Sequence, residues 1–101
     1  MKYIQKMEAV ASDQIKKLDF PKQDVLLTED DKMRREWKLI KAKDLGNSFL
    51  KTKTSFIVNT KTGYKKITGR VITFSKTKVI LAGQRQIPVS SILDVKVLSN
   101  G

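Results

Sequence analysis

The sequence predicts an α+β domain, in which two N-terminal helices precede a five-stranded antiparallel small β-barrel. Three observations predict it. Apolar residues recur at three- and four-residue spacing up to residue 45. After Ser48 they alternate instead, and Thr, Val, Ile and Phe become frequent. Turn signals then break the chain about every ten residues, as in small all-β units.

The spacing of Ile4, Met7, Ala11, Ile15 and Leu18 predicts an amphipathic helix over residues 2–18, with Lys6, Asp13, Lys16 and Lys17 on its other faces. Phe20-Pro21 ends it, because the residue before proline is pushed out of helical geometry. Residues 21–27 form a link, in which Val25-Leu26-Leu27 reads equally as a short strand or a loop held by the core. A second helix is predicted at about 29–45. Thr28 is a good N-cap, and Glu29, Asp30 and Asp31 place negative charge where the helix dipole favours it. Met33, Trp37 and Ile40 make an apolar stripe, from which Trp37 is expected to dock the helix on the barrel. Lys41 and Lys43 suit the C-terminal end, and Gly46-Asn47 is the stop.

Residues 48–59 read as the first strand, Thr60-Lys61-Thr62-Gly63 as a turn, and residues 64–74 as the second strand, with Gly69 a bulge or a point of close approach. Ser75-Lys76 turns into Lys78-Val79-Ile80-Leu81, and Gly83-Gln84 into Arg85-Gln86-Ile87. Pro88-Val89-Ser90-Ser91 interrupts pairing before a last strand from Ile92 to Leu98. This order matches SH3-like barrels, where a short 3₁₀ turn separates strands four and five. The expected organisation is a helical arm over residues 1–46 and a basic barrel over 47–101, folding as one cooperative domain.

The run Ile67-Thr68-Gly69-Arg70-Val71-Ile72, then Lys78-Val79-Ile80-Leu81, then Ile87-Pro88-Val89-Ser90-Ser91-Ile92-Leu93-Asp94-Val95 resembles the C-terminal barrel of YolD-like bacterial proteins. The resemblance covers residues 56–97 and is a pattern of apolar positions and glycine that Sm-like and PUA-like barrels share. The upstream motif usual in that family is missing here. The resemblance implies a fold more than a function.

Composition narrows the chemistry. The 101 residues suffice for one domain. With no cysteine, disulfides, thiolate metal sites and cysteine nucleophiles are excluded. With no histidine, the usual general base and the commonest metal ligand are gone. No apolar run has the length of a membrane helix, and Met1-Lys2-Tyr3-Ile4-Gln5-Lys6 leads into no signal-type apolar stretch, so a cytoplasmic location is expected. Nine of the ten acids lie in residues 1–46, with no pattern that pairs two of them in a pocket. A non-enzyme without cofactor is expected. Glu29-Asp30-Asp31 reads as helix capping, not a metal site, because consecutive helical residues point in different directions.

The formal net charge is +11. Residues 1–46 contribute 11 basic and 9 acidic residues; residues 47–101 contribute 10 basic residues and one acid, Asp94. The excess therefore sits on the strand half and favours polyanions there. With a loop at 60–63, alternation pairs Asn59 with Tyr64, Ile57 with Lys66, Ser55 with Thr68 and Lys53 with Arg70 on one face. Like charges opposed at Lys53 and Arg70 repel, and a bound phosphate offsets that. Lys51, Lys61, Lys65, Lys76 and Lys78 extend the basic region, and Tyr64 at the hairpin tip is placed to stack on a base. These nine residues are the expected nucleic-acid site, for RNA or DNA. Set against this, exposed strand lysines also serve only to block edge pairing. A second expectation is a protein-interaction adaptor of a bacterial, phage or mobile-element assembly, using the 2–18 helix to bind a partner or to self-associate. Packing of Ile4, Met7, Ile15 and Leu18 on the chain's own barrel would count against it.

Overall fold

The computed structural model describes residues 8–10 and 12–98. A two-residue strand, β1 (Glu8–Ala9), leads to a 3₁₀ helix (Ser12–Lys17) and then to the single α-helix of the described chain, α1 (Glu29–Gly46). Six strands follow: β2 (Thr54–Thr60), β3 (Gly63–Gly69), β4 (Val71–Phe74), β5 (Lys78–Leu81), β6 (Arg85–Pro88) and β7 (Ile92–Val97). A second 3₁₀ helix (Val89–Ser91) links β6 to β7.

The strands form two separate sheets, and this corrects the expected five-stranded, closed or nearly closed barrel. The larger sheet has the order β1-β3-β2-β7, and the smaller has β4-β5-β6. The expected single strand over 64–74 is two strands, parted at Arg70. Gly69 permits the break. A Cβ there would stand 3.0 Å from Leu81 Cδ1, so the bare backbone lets the two sheets meet closely at this corner. Beyond it, Arg70 carbonyl accepts from the Ala82 N–H at 2.8 Å, and pairing continues in the other sheet.

Other elements fill the flanks that pairing leaves open. Helix α1 packs against β7 of one sheet and β4 of the other, while the first 3₁₀ helix packs against β3 and β6. One core results. Phe56, Val58, Ile67, Val71, Val79, Leu81, Ile87 and Ile92 are wholly buried, with Leu39 and Ala42 from α1 and Ile15 from the 3₁₀ helix among them. Both halves of the sequence thus contribute to the same interior.

The second correction concerns residues 2–18. No α-helix forms in their described part; residues 1–7 and 11 lie outside the described residues. Glu8 and Ala9 run parallel to β3, opposite Lys65 and Lys66, and the Val10 N–H donates to Lys66 carbonyl at 2.9 Å. The free edge of β3 offers this segment backbone partners that an isolated helix would not need. Three-residue spacing fits the 3₁₀ helix as well as an α-helix, so Ile15 is buried and Leu18 half-buried without the longer element.

Helix α1 begins as its sequence dictates. Thr28 is the N-cap, its hydroxyl accepting from the Asp31 N–H at 3.1 Å. Its docking face is the third correction. The buried positions are Arg35, Leu39, Ala42 and Gly46, while Met33, Trp37 and Ile40 face away and stay exposed. Close approach decides the matter. A Cβ at Gly46 would lie 2.5 Å from the Val71 carbonyl oxygen, so only glycine lets this turn sit against β4. Arg35 fixes the other end of the contact. Its guanidinium donates to both carboxylate oxygens of Asp24, at 2.9 and 2.7 Å, and to Ile92 carbonyl at 3.0 Å. The Leu26 N–H donates to the same carboxylate, and the Val25 N–H to Ser90 carbonyl. Link, helix and the start of β7 are thereby joined. Burial by itself raises the Asp24 pKa, but the hydrogen bonds from Arg35 and Leu26, with the charges of Arg35 and Lys32, outweigh it and hold the carboxyl below its ordinary value.

Two outcomes follow from this geometry. Gly46→Ala should destabilise by about 1–3 kcal/mol by overpacking, despite a gain of up to about 1 kcal/mol in helix propensity; thermal unfolding followed by circular dichroism measures it. Folding lowers the Asp24 pKa, so its contribution to stability is full above the unfolded value of about 3.9 and is lost as pH falls through the folded value. Asp24→Asn should therefore cost about 1–3 kcal/mol at neutral pH, where Arg35 loses its counter-charge, and flatten the stability profile below about pH 4. Urea unfolding of both proteins across that range reads both effects.

Candidate nucleic-acid interface

Strand alternation builds one face of the larger sheet. In the β2–β3 hairpin Asn59 pairs with Tyr64, Ile57 with Lys66 and Ser55 with Thr68. On the other side of β2, Ile57 pairs with Asp94 and Ser55 with Lys96 of β7. Phe56, Val58, Ile67 and Val95 point into the core, so the alternate positions Tyr64, Lys66, Thr68, Asp94 and Lys96 share the outward face with Ser55, Ile57 and Asn59. Tyr64 is 43% exposed, and Lys66, Thr68 and Lys96 are exposed, while Ile57 and Asn59 between them are half-buried and Ser55 is buried.

The acid on this face is already answered. Lys38 of α1 places its ammonium 2.7 Å from Asp94 Oδ1, and the Val95 N–H donates to the same oxygen at 2.9 Å. Asp94 is the only acid in residues 47–101, and it is paired with a helix lysine, so no other acid of the strand half stands beside Lys66 and Lys96.

The nine expected residues do not all come together. Tyr64 and Lys66 share the outward face. Lys53 is exposed just before β2, where its carbonyl accepts from the Leu98 N–H at 2.9 Å. The expected opposition of Lys53 and Arg70 is not made, since the hairpin pairing ends at Thr54 and Gly69. Arg70 is half-buried, its guanidinium donating to Gly46 carbonyl at 3.1 Å, where a cation suits the helix C-terminus. Lys65 is half-buried on the opposite phase of β3. Lys61 leaves the hairpin tip and lies 3.6 Å from Asp19 Oδ2. Lys76 and Lys78 are exposed on the smaller sheet, and Lys76 lines a hollow with Asp24, Glu29 and Glu36. Lys51 is exposed with φ of 51°, outside any strand.

Lys96 belongs to the face and was not foreseen. Alternation within 92–97 gives its phase, but only the β2–β7 pairing places it two strands from Lys66. Among the described residues no three acids gather where they could hold a metal ion, and no helix is long and apolar enough to cross a membrane.

The structure also exposes apolar surface. Trp37 is 69% exposed, and Met33 and Ile40 lie beside it on the outer side of α1. By contrast, the described part of residues 2–18 directs Ile15 and Leu18 to the chain's own core, which removes support from that segment as a partner-seeking helix; Ile4 and Met7 lie outside the described residues.

Removing a buried tryptophan costs about 3–5 kcal/mol, whereas exposed substitutions stay within about 0.5 kcal/mol. Trp37→Ala should fall in the second class when unfolding in dilute solution is followed by circular dichroism. No protein-family model, no curated protein and no solved structure matches this chain, so the resemblance to YolD-like barrels rests on its apolar pattern alone.

Proposed function

We propose that this protein is a non-catalytic binding module for single-stranded nucleic acid, engaged by the outward face of the larger sheet. The observation that carries the proposal is the set Tyr64, Lys66 and Lys96, exposed on one face whose one acid among the described side chains, Asp94, is paired with Lys38. Lysine ammoniums attract phosphates as point charges, without fixing a base sequence. Tyr64 offers a ring on which a base can stack, which favours unpaired strands over duplex. Thr68 and Asn59 add hydroxyl and amide groups beside the cations. Lys53, exposed near the Ser55 end of the same strand, extends the path for a phosphate backbone. Recognition is expected to be largely independent of sequence and to include both RNA and DNA.

Labelled RNA and DNA oligonucleotides titrated at several salt concentrations test the proposal. Contacts from Lys53, Lys66 and Lys96 imply a slope of log affinity against log salt near −2, at about −0.7 per phosphate on a single strand. Lys66→Glu and Lys96→Glu should each weaken binding and flatten the slope, while Lys76→Glu changes little. Tyr64→Ala should cost about 1–3 kcal/mol with little effect on the slope. Absence of binding at low salt, or binding indifferent to Lys66 and Lys96, defeats the proposal.

A further inference from the structure

The outer side of α1 carries a second surface, independent of the sheet. At 100° per residue, Met33, Trp37 and Ile40 form a band about 160° round the helix from the mean direction of Arg35, Leu39, Ala42 and Gly46. Their spacing of four and three residues is that of one coiled-coil seam, with Met33 and Ile40 in one core position and Trp37 in the other. The exposures are 56%, 69% and 47%.

The flanks of this band differ in charge. Glu29, Glu36 and, at the far end, Lys43 lie on one side, one residue before the seam positions of Asp30, Trp37 and Asp44. Arg34 and Lys41 lie on the other, one residue after Met33 and Ile40. In a parallel two-helix pair, each residue of the first flank meets the residue five positions later on its partner. Glu29 then faces Arg34 of a second copy, Glu36 faces Lys41, and both contacts occur twice. An antiparallel pair centred on Trp37 instead places Glu36 against Glu36 and Arg34 against Lys41, offset in part by Glu29 against Lys43. The charge pattern is thus complementary to itself in the parallel orientation and mixed, with more like-charge contacts, in the antiparallel one.

We propose that α1 pairs in parallel with α1 of a second copy of this chain through Met33, Trp37 and Ile40. Glu36 and Lys41 enter no ion pair among the described residues. The Glu29–Lys32 and Arg34–Asp31 pairs are long, at 3.7 and 3.6 Å, and exposed, so they exchange for cross-helix pairs at little cost. Asp30 and Asp44 occupy seam positions at either end of the band. There they repel their counterparts, confine tight contact to the middle turns, and disfavour a slip of seven residues that would set Asp30 or Asp44 against Trp37. The face is smaller than a standard interface, so association in the micromolar range is expected.

Trp37 is the only tryptophan, so its fluorescence reports on this face alone. The full chain, followed by sedimentation equilibrium from micromolar to submillimolar concentration, should pass from monomer to dimer, and Trp37 emission should shift to shorter wavelength along the same curve. Trp37→Ala should weaken the dimer by more than about tenfold while leaving the monomer folded by circular dichroism. Glu36→Lys and Lys41→Glu should each weaken it, and the two together should restore it, since the exchanged charges again face each other in the parallel pair. A chain that stays monomeric throughout, or a dimer indifferent to Trp37→Ala, overturns the proposal; failure of the double exchange to rescue overturns the parallel arrangement. Nucleic-acid binding by a strictly monomeric protein would leave the sheet site standing while this one falls.

Discussion

Everything in this fold depends on covering the two open flanks of a pair of small sheets. Pairing stops at Arg70 on one side and passes through the second 3₁₀ helix on the other, so strand hydrogen bonds alone do not enclose the core. A core of wholly buried Phe56, Ile67, Leu81 and Ile92 has to be kept from water by something else. Helix α1 covers the flank between β7 and β4, and the first 3₁₀ helix covers the flank between β3 and β6. The α1 seal is held at two points of different chemistry. Gly46 brings bare backbone against Val71, and the Arg35 guanidinium joins Asp24 to Ile92 carbonyl. The first works by the absence of atoms. The second works because a nearly buried charge has hydrogen-bond partners on more than one side.

Local rules carried the sequence reading where the structure is local. The β2–β3 hairpin has the register expected from its loop, because alternation and a short turn determine it together. Thr28 and the acids after it mark the start of α1 through backbone groups within one turn. The misreadings arise where distant segments compete. Residues 8–10 find a strand edge that no local pattern announces. Arg70 is drawn to the carbonyl end of a helix 24 residues away in sequence, and Lys96 reaches the face through a pairing between chain ends of the strand half.

The reversed orientation of α1 has the same origin. Hydrophobicity alone favours burying the side with methionine, tryptophan and isoleucine. Yet Ala42 and Gly46 allow the helix to approach more closely, and distance governs packing between a helix and a sheet corner. A bulky stripe would hold the helix off and open the flank it has to close. Small residues at Ala42 and Gly46, beside the buried Arg35 and Leu39, thus let the helix seal the core on one side while Met33, Trp37 and Ile40 retain contact area on the other.

The electrostatics divide along the same helix. Lys38, itself exposed, reaches from α1 to Asp94 and offsets the acid on the basic sheet face, so the helix helps set the charge of a surface that the strands build. The pair is exposed, with side chains 50% and 40% accessible, and adds little to stability. Its consequence is electrostatic. Without Lys38, Asp94 would stand uncompensated beside Ile57, two strands from Lys66, and oppose an approaching phosphate. Proximity makes this local effect larger than one unit in a net charge of +11, because screening confines exposed charges to a range of about 10 Å. On the proposed reading, the pairing of Asp94 matters more to an approaching phosphate than the number of lysines does.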